Sequence, residues 1–414
     1  MPLPAGMDVR NGVVDLDPCE PDFVRDPYPF YTAMRESGRC FQWKQLGHRC
    51  YGRHEDVGAL LRDRRFGRQI LHVATREELG WHEPAEHLRP FHDFERHSLL
   101  ELEPPRHTQL RGFVHAAFLP RQVEHFRPRI ERLAQRLIDG FEDRGRVDLI
   151  EAYAAPLAVG VIADFLGVPG DLGPQLLAWS HDMVAIYQAR RDRAIEDRAV
   201  AATVAFSAFM TEFVAARRRT PGQDFLSQVV TAEDRDGYRL TDEEVVTMGI
   251  LLLNAGHEAT VHALGNGVRA ILERVPAPAE AVVADPEGHV EEMLRFDAPL
   301  HLFTRYALAD VEYAGERFRK GEQVGLLLGS ANRDPTRFAE PDTFKAARSP
   351  NPHVSFGGGI HACVGAPLAR LEMQVAVRIL FQRLPGLTIA EQLVVRDAWH
   401  FRGLESLSLS WLGS

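Results

Sequence analysis

Apolar side chains recur every three to four positions along most of the chain, which is the spacing of the buried face of a helix. Turn-forming clusters such as 167–170 and 221–222 separate these periodic segments. The pattern predicts helices over 26–37, 55–61, 121–142, 150–166, 172–190, 194–219, 241–275, 286–296 and 364–383, with a further helix beginning at 104. Short alternating runs predict strands near 40–43, 49–52, 302–313, 316–328, 387–395 and 406–411. We therefore expect a mainly α fold with a small β region.

No repeat, low-complexity tract or linker interrupts the sequence, so we expect residues 1–414 to form one domain. Segment 71–98 lacks clear periodicity and contains five histidines among Trp81, Phe91 and Phe94. The histidines are five or ten residues apart, which does not place them on one helical face, and no short-spaced ligand pair appears. We interpret this segment as a solvated or pocket-covering loop rather than a metal site.

The longest predicted helix has an informative sequence at both its start and its middle. Thr241 and Glu244 form a T-x-x-E capping box, and Pro276 follows the end of the helix. Gly256 lies in the middle, where glycine costs on the order of 1 kcal/mol relative to alanine. Close approach of a planar cofactor with a diatomic ligand, or of a second helix, would each explain it, and the helix alone does not choose between them.

Composition and charge narrow the possible classes of function. With 45% hydrophobic residues the chain can bury a large core. Its net charge of −10 argues against a nucleic-acid binder, which would usually be basic. The four cysteines show neither a disulfide framework nor C-x-x-C spacing. Residues 1–18 carry no signal-peptide pattern, and no apolar stretch approaches the ~20 residues of a membrane span. We expect a cytoplasmic protein that binds neither nucleic acid nor membrane.

A glycine-rich loop, Phe356 to Gly365, precedes the last predicted helix and contains one thiol. Cys363 stands where the positive end of the helix dipole favours thiolate over thiol. The glycines permit close approach of a flat group, Phe356 could cover the sulfur, and His361 could anchor an anion. Such a thiolate suits an axial ligand of haem iron. The usual role of an isolated cysteine, a small buried apolar residue, is the alternative.

The pattern F-x-x-G-x-H-x-C-x-G of this loop resembles the haem-ligand loop of the cytochrome P450 family. The resemblance extends over nearly the whole chain, from 26–28 to 402–404. It implies that Cys363 is the proximal iron ligand of haem b and that the following loop residues surround it: Phe356, Gly357, His361 and Gly365. It also implies the P450 fold, in which the haem lies between a long central helix and the cysteine loop.

Four further side chains resemble the family's contacts to the haem propionates. His107 and Arg111 form an H-x-x-x-R pair on one helical face, which would otherwise be interpreted as a solvent-facing pair. Arg305 and His353 correspond by position. Together with His361, these groups would neutralise two carboxylates that an apolar site disfavours.

Glu292 and Arg295 resemble the family's E-x-x-R pair, which an arginine of a later loop joins. The matching arginine here is Arg348, although Lys345 replaces the acidic residue usual in that loop. An isolated exposed pair at this spacing contributes only ~0.2–0.5 kcal/mol. The role that the resemblance implies is structural, namely holding the loop that carries the thiolate.

The middle of the long helix resembles the family's oxygen-binding A-G-x-E-T-T. Ala255, Gly256 and Glu258 match this motif, and Glu258 could relay protons. Ala259 occupies the position of the threonine that hydrogen-bonds iron-bound dioxygen, and alanine has no hydroxyl. Thr260 is rotated about 100° around the helix, which makes it a poor substitute. Either ordered water or a substrate hydroxyl replaces the missing group, or the chemistry needs less proton delivery.

The resemblance implies a monooxygenase that inserts one atom of O2 into a small, mainly apolar organic substrate. Electrons would come from a ferredoxin and a ferredoxin reductase, since no flavin or iron–sulfur segment is visible. The alternative is a haem-thiolate enzyme of atypical, peroxide-driven or substrate-assisted chemistry; Ala259 favours it and the retained Glu258 opposes it. A non-enzymatic haem binder or gas sensor would need a regulatory segment, and none is visible.

Candidate substrate contacts come from the loop 81–98, the region 180–190, the long helix and two later segments. Their aromatic and aliphatic character indicates a mainly apolar ligand. His301 or His97 could bind a polar group of that ligand. The residues carried over by position are Trp81, Phe94, Leu252, Leu300, His301, Leu302 and Phe401.

Overall fold

Helices form most of the framework in the computed structural model, which describes residues 3–187 and 191–411. The first nine described helices are α1 (Pro21–Arg25), α2 (Tyr28–Ser37), α3 (His54–Leu60), α4 (Arg89–Glu95), α5 (Arg106–His115), α6 (Pro120–Glu124), α7 (Arg127–Asp139), α8 (Ala155–Leu166) and α9 (Gly173–Val184). They are followed by α10 (Arg193–Arg219), α11 (Phe225–Thr231), α12 (Asp242–Arg274), α13 (Pro278–Ala284), α14 (Pro286–Phe296), α15 (Leu328–Ala331) and α16 (Ala366–Arg383). The predicted mainly α class is confirmed.

The strands are short and come from both ends of the sequence. They are β1 (Asp8–Arg10), β2 (Val13–Asp15), β3 (Cys40–Trp43), β4 (His48–Tyr51), β5 (Phe66–Gly67), β6 (Arg146–Asp148), β7 (Leu302–Ala307), β8 (Val311–Tyr313), β9 (Glu316–Phe318), β10 (Gln323–Leu327), β11 (Thr388–Ile389), β12 (Val394–Val395), β13 (Leu404–Ser406) and β14 (Ser408–Ser410). The largest sheet has the order β1-β2-β3-β4-β10-β7-β5, with β10 parallel to β4 and antiparallel to β7. The smaller sheets are β11-β14-β6, β12-β13 and β8-β9.

Helix α12 runs through the largest hydrophobic core and contacts α8, α10, α14 and α16. Its 33 residues span roughly 50 Å at 1.5 Å per residue. The capping box forms as predicted: the Glu244 N–H donates to Thr241 Oγ1 at 3.3 Å, and the Thr241 N–H donates to the Glu244 carboxylate at 3.0 Å. These bonds satisfy donors that a helix start leaves free, so the position of α12 along the chain is set locally.

The structure departs from the predicted elements where local sequence signals were weak. Helix α4 lies inside 71–98, which was predicted to be a loop, and α11 and α13 were not predicted. The predicted helix 121–142 is two helices, α6 and α7, because Pro128 has no N–H to donate to the carbonyl oxygen of Glu124 and is tolerated only in the first turn of a helix. The predicted helix 172–190 ends as a 3-10 turn at Ala185–Tyr187, and residues 188–190 lie outside the described part of the chain.

Helix α10 is long and apolar enough to cross a membrane by length and composition. In the structure its apolar stripe, which includes Phe206, Met210 and Val214, is buried in the main core against α9 and α12.

Candidate active site

Cys363 lies between a 3-10 turn at Gly359–His361 and the start of α16. Its backbone N–H donates to the carbonyl oxygen of Phe356 at 2.9 Å, which closes the loop. Gly359 has a φ of 69°, and a β-carbon there would lie 2.4 Å from the carbonyl oxygen of Leu61. Glycine is therefore required for this path of the backbone. Cys363 itself is accessible to solvent, although many protein atoms lie around it.

The charge state of this thiol differs from the expectation based on the helix dipole. Burial raises the pKa of Cys363 above its ordinary value, although the backbone N–H groups of Gly365 and Ala366 and the Arg111 guanidinium act in the opposite direction. The loop therefore supplies donors that fit a thiolate but does not by itself create one. A metal cation bound to the sulfur would deprotonate it outright.

Basic side chains gather beside the cysteine loop. The His107 and His361 rings are 4.4 Å apart between centroids, and Nη2 of Arg111 donates to the carbonyl oxygen of Ala362 at 2.5 Å. His107 is buried with Nδ1 unpaired, and burial lowers its pKa to about 4, aided by His361 and Arg111. Three of the residues predicted to hold propionates are thus brought together.

Arg305 on β7 is a buried guanidinium with little to neutralise it. It is 2% exposed, and the hydrogen bond that it makes is to the carbonyl oxygen of Thr304, at 2.9 Å. No carboxylate among the described residues forms an ion pair with it, and burial lowers its pKa to about 10. A buried cation of this kind is costly unless an anion accompanies it. Its surroundings therefore fit a carboxylate supplied by a bound group.

The geometry corrects the expectation for His353. Both of its ring nitrogens are engaged: Nε2 contacts the Glu291 carboxylate at 3.1 Å, and Nδ1 accepts from the backbone N–H of Ser355 at 3.3 Å, so neither is free for a propionate. Glu291 also accepts from Arg370 of α16 at 2.6 and 3.0 Å. His353 therefore links the cysteine loop to α14 and α16. Similarly, His361 is held by Glu103, at 3.1 Å, which sequence reasoning missed.

The middle of α12 has small side chains at partly exposed positions, whereas most other residues of the helix are buried. Ala255 is exposed and Ala259 is half-buried, although Leu252 and Leu253 before them are buried. Thr260 is buried, and its hydroxyl donates to the carbonyl oxygen of Gly256 at 3.2 Å. The hydroxyl of Thr260 is thus already engaged within the helix, and its being a poor substitute for the missing threonine stays a prediction.

Gly256 has a packing role. A β-carbon at this position would lie 2.9 Å from Ile162 of α8, so the glycine lets the two helices approach closely. Of the two explanations that the sequence left open, the structure supports close helix packing for this residue.

Glu258 is ionised and buried. Its Oε1 accepts from Nη1 of Arg396 at 2.8 Å, and the same Nη1 contacts Nε2 of His262 at 2.8 Å. Burial acts to raise the pKa of Glu258, but Arg396 and His262 hold it below its ordinary value. Arg396 and His262 were not identified from the sequence. The i+4 spacing of His262 was a usable signal, whereas nothing local marks Arg396, which is 138 residues away.

The predicted structural triad is assembled in the interior. Arg295 donates to both oxygens of Glu292, at 2.7 and 2.8 Å, and Arg348 donates to them at 3.2 and 3.3 Å. Glu292 and Arg295 are fully buried. Arg295 also donates to the carbonyl oxygens of Asn332 and Pro341, at 2.9 and 2.8 Å, so the triad fixes the segment leading to the cysteine loop.

The residues predicted to contact substrate are divided between two regions. Leu300 and Phe401 pair across an isolated β-bridge, and Phe401 lies against His262 of α12, 5.6 Å between ring centroids. Leu252 lies on the same helix and is 6% exposed, and Phe94 packs against the same core. This group brings apolar side chains next to the middle of α12.

Three of the predicted substrate contacts lie elsewhere. His301 is fully buried and its Nδ1 contacts the Tyr31 hydroxyl at 2.8 Å, which corrects the expectation that it reads a polar group of a ligand. Trp81 packs on Tyr306, which alternates to the opposite face of β7 from Arg305. Leu302 packs against the N-terminal core cluster. None of the three joins the group around Phe401.

Comparison with known proteins decides what this arrangement belongs to. Residues 287–391 match the family model described as Cytochrome P450. The chain is 34% identical over 397 residues to the biotin biosynthesis cytochrome P450 of Bacillus subtilis (strain 168), covering 94% of this chain and 97% of that protein. The chain belongs to the cytochrome P450 family. It is also 38% identical over 399 residues to nocardicin C N-oxygenase of Nocardia uniformis subsp. tsuyamanensis, covering 93% and 96% of the two chains.

A solved P450 structure shows the same fold. The structure of P450BioI in complex with hexadec-9Z-enoic acid ligated acyl carrier protein has a TM-score of 0.87 at 33% identity, covering 94% of this chain and 100% of that one. The protein is therefore an enzyme of the P450 monooxygenase class, with a long central helix and a cysteine loop as predicted. A haem-thiolate cofactor follows from the family. The exposed Cys363, the free Nδ1 of His107 and Arg305, which no carboxylate of the described residues pairs with, fit it.

Proposed function

We propose that the chain acts as a single P450 domain in the cytoplasm, inserting one oxygen atom of O2 into a small, mainly apolar organic substrate. Electrons come from a ferredoxin and its reductase. Each turnover takes substrate RH, O2, two electrons and two protons, and gives ROH and H2O. The observation that carries the proposal is the solvent-accessible Cys363 thiol together with His107 and Arg305, two buried basic groups that no carboxylate of the described residues pairs with. Haem b supplies oxygen activation when bound, assisted by electron donation from the thiolate.

Residues of the chain bind the cofactor both at its iron and at its propionates. Cys363 binds the iron, and Gly357, Phe356 and Gly365 shape the loop around the sulfur. Arg305, His107, Arg111 and His361 bind the two propionates, which removes the cost of the buried Arg305 charge. The Arg370 guanidinium lies over the Phe356 ring, 4.5 Å from its centroid, and keeps the ring in place beside the loop.

On the opposite side, α12 provides space and protons. Ala255 and Ala259 leave room for O2 and substrate, and Glu258 is the proton-carrying group nearest to Ala259 in sequence. Because Ala259 offers no hydroxyl, a water or a substrate hydroxyl has to complete the hydrogen bonding there. Phe401, Leu300 and Leu252 supply an apolar surface that favours a ligand with few polar groups.

The proposal is tested by the absorption of the reduced, carbon-monoxide-treated protein. Thiolate ligation predicts a red-shifted Soret band that is lost in Cys363→Ser and retained in Cys40→Ser and Cys50→Ser. A folded protein without that band would overturn the assignment. A ligand screen that follows the Soret shift, as water leaves the iron, then identifies substrates.

A second candidate is peroxide-driven or substrate-assisted oxidation, and the observation that favours it is Ala259. The ionised, cavity-facing Glu258 favours the reductase-driven reaction instead. Turnover with a ferredoxin system is expected to exceed turnover with hydrogen peroxide alone. The reverse order would favour the second candidate.

A further inference from the structure

A cavity of about 810 Å³ lies between residues 3–9, α2 and the C-terminal end of α12. Its volume is in the range of small-molecule sites in proteins. None of the described residues at the cysteine loop or in the middle of α12 lines it. The cavity is therefore separate from the candidate active site, and no step of the proposed reaction uses it.

The floor of the cavity, meaning the part of its lining that solvent reaches least, contains two guanidinium groups that share one carboxylate. Asp297 accepts from Nε of Arg402 and from Nη2 of Arg269, both at 2.7 Å. Arg402 is 4% exposed, and Nε of Arg269 is buried with no hydrogen-bond partner among the described residues. This group has one more positive charge than negative, which is costly in the interior unless an anion accompanies it.

Two further arginines line the cavity on aromatic rings. The Arg333 guanidinium carbon lies 3.6 Å from the Phe296 ring centroid and 4.0 Å from that of Tyr28. Arg274 is exposed and lies 5.4 Å from the same Phe296 ring. No carboxylate of the described residues forms an ion pair with Arg274. Cation–π contacts hold both charges at the cavity, and that of Arg274 is available to an anion from solution.

The rest of the lining determines which kind of anion fits. Its apolar side chains are those of Leu3, Pro4, Val9, Pro29 and Ala33. Its carboxylates are all exposed at the solvent side: Asp26, Glu36, Glu273 and Asp342. Like charges at the entrance disfavour phosphates and nucleotides, which carry two or more negative charges. An organic acid with one carboxylate and an apolar body matches both the floor and the walls.

The floor is continuous with a predicted part of the substrate region. Arg402 directly follows Phe401, and its N–H donates to the carbonyl oxygen of Pro299 at 2.8 Å. Phe401 pairs with Leu300 in the adjacent bridge. Asn266 of α12 donates to the carbonyl oxygen of Arg402 at 3.1 Å. An anion bound at Arg402 therefore acts on the two segments that place Phe401 and Leu300.

We propose that this cavity binds a small organic monocarboxylate, and that its occupancy changes the affinity of the ligand region beside α12. The carboxylate lies against Arg269 and Arg274, and the apolar body lies along Pro29 and Ala33. The coupling is reciprocal, so a ligand beside Phe401 changes the affinity for the carboxylate by the same factor. The carboxylate site stands without the proposed function, whereas the coupling rests on it.

Calorimetric titration of the full chain with benzoate tests the site. We expect benzoate to bind more tightly than benzamide, its uncharged analogue, and than inorganic phosphate. In Arg274→Gln the Kd of benzoate should rise about tenfold, as for one lost charge-assisted hydrogen bond. The control is Arg129→Gln, because Arg129 is exposed and also lies 5.4 Å from a phenylalanine ring, that of Phe126, but outside the cavity. Equal effects of the two variants, or equal binding of benzamide, would overturn the site.

The coupling is tested with phenylimidazole, which binds haem iron and shifts the Soret band. Saturating benzoate should change the Kd of phenylimidazole about fivefold, and Arg274→Gln should remove this effect at the same benzoate concentration. An unchanged Kd would overturn the coupling. An equal change in both proteins would show that benzoate competes in the ligand region, which would also overturn it. If the carbon monoxide band were absent, the proposed function would fail, and the calorimetric comparison would still decide the carboxylate site.

Discussion

At the scale of single residues, the exchange of threonine for alanine at 259 is the most consequential departure from the family motif. The hydroxyl of the adjacent Thr260 is already bonded to the carbonyl oxygen of Gly256. In Ala259→Thr, we expect the fraction of electrons recovered as product to rise severalfold if water alone fills the gap, because the new hydroxyl faces the oxygen side. The measurement compares product formed with electron donor consumed.

Thr260→Val is the matched control for this prediction, since it deletes a neighbouring hydroxyl with little change of shape. Its coupling is expected to match that of the unmodified protein. If Ala259→Thr also left coupling unchanged, the alanine would need no compensating water or substrate group.

Replacing Arg305 is expected to stabilise the haem-free protein and to weaken the binding of haem. Its buried guanidinium lacks a carboxylate partner in the described chain, so Arg305→Leu should raise the free energy of unfolding of the haem-free protein. The same change removes a propionate contact and should speed haem loss about tenfold. Chemical denaturation of the haem-free protein and haem transfer to an acceptor protein measure the two effects. A loss of stability in both states would indicate a purely structural arginine.

At the scale of elements, Glu291 ties α14 to α16 and to the cysteine loop through Arg370 and His353. Burial opposes ionisation, but these partners lower the pKa of Glu291 to about 2 from an ordinary 4.5. A lowered folded-state pKa means that the stabilisation is complete above about 4.5 and disappears as the pH falls toward 2. Glu291→Gln should therefore be less stable at pH 7, with the difference shrinking through this window.

Denaturant unfolding of both proteins at a series of pH values measures that convergence. The control is Glu287→Gln, which changes an acidic residue in the first turn of the same helix. A pH-independent difference for Glu291→Gln would contradict the ion-pair explanation. Its consequence for function is that acid loosens the support of the thiolate loop.

At the scale of the whole molecule, the sequence predicted what depends on neighbours along the chain. The capping box at Thr241 and the Cys363 loop are local patterns, and both were located correctly. Contacts between distant segments were not predictable, because no spacing encodes them. Tyr31 turns His301 away from the ligand region across 270 positions, and Arg396 reaches Glu258 across 138. The short α4 was missed because His92 and Arg89-Pro90 obscure its periodicity.

Long-range pairing also fixes the position of segment 71–98, from which we expect substrate contacts. Segment 71–98 is joined to the α9–α10 region by His87 and Glu196, at 2.8 Å, and by Tyr187 and Glu95, at 2.6 Å. A partly buried pair of this kind contributes about 1 kcal/mol. Its removal in Glu196→Gln should therefore open this contact about fivefold more often and raise the rate of ligand association by that factor.

Stopped-flow measurement of the Soret shift tests this gate. The control is Asp197→Asn, which removes an exposed i,i+4 pair with Arg193 on the same helix and does not reach segment 71–98. Association and dissociation should both accelerate in Glu196→Gln, because a gate changes rates in both directions and leaves affinity nearly constant. A change in affinity with an unchanged association rate would instead place Glu196 among the groups that bind the ligand.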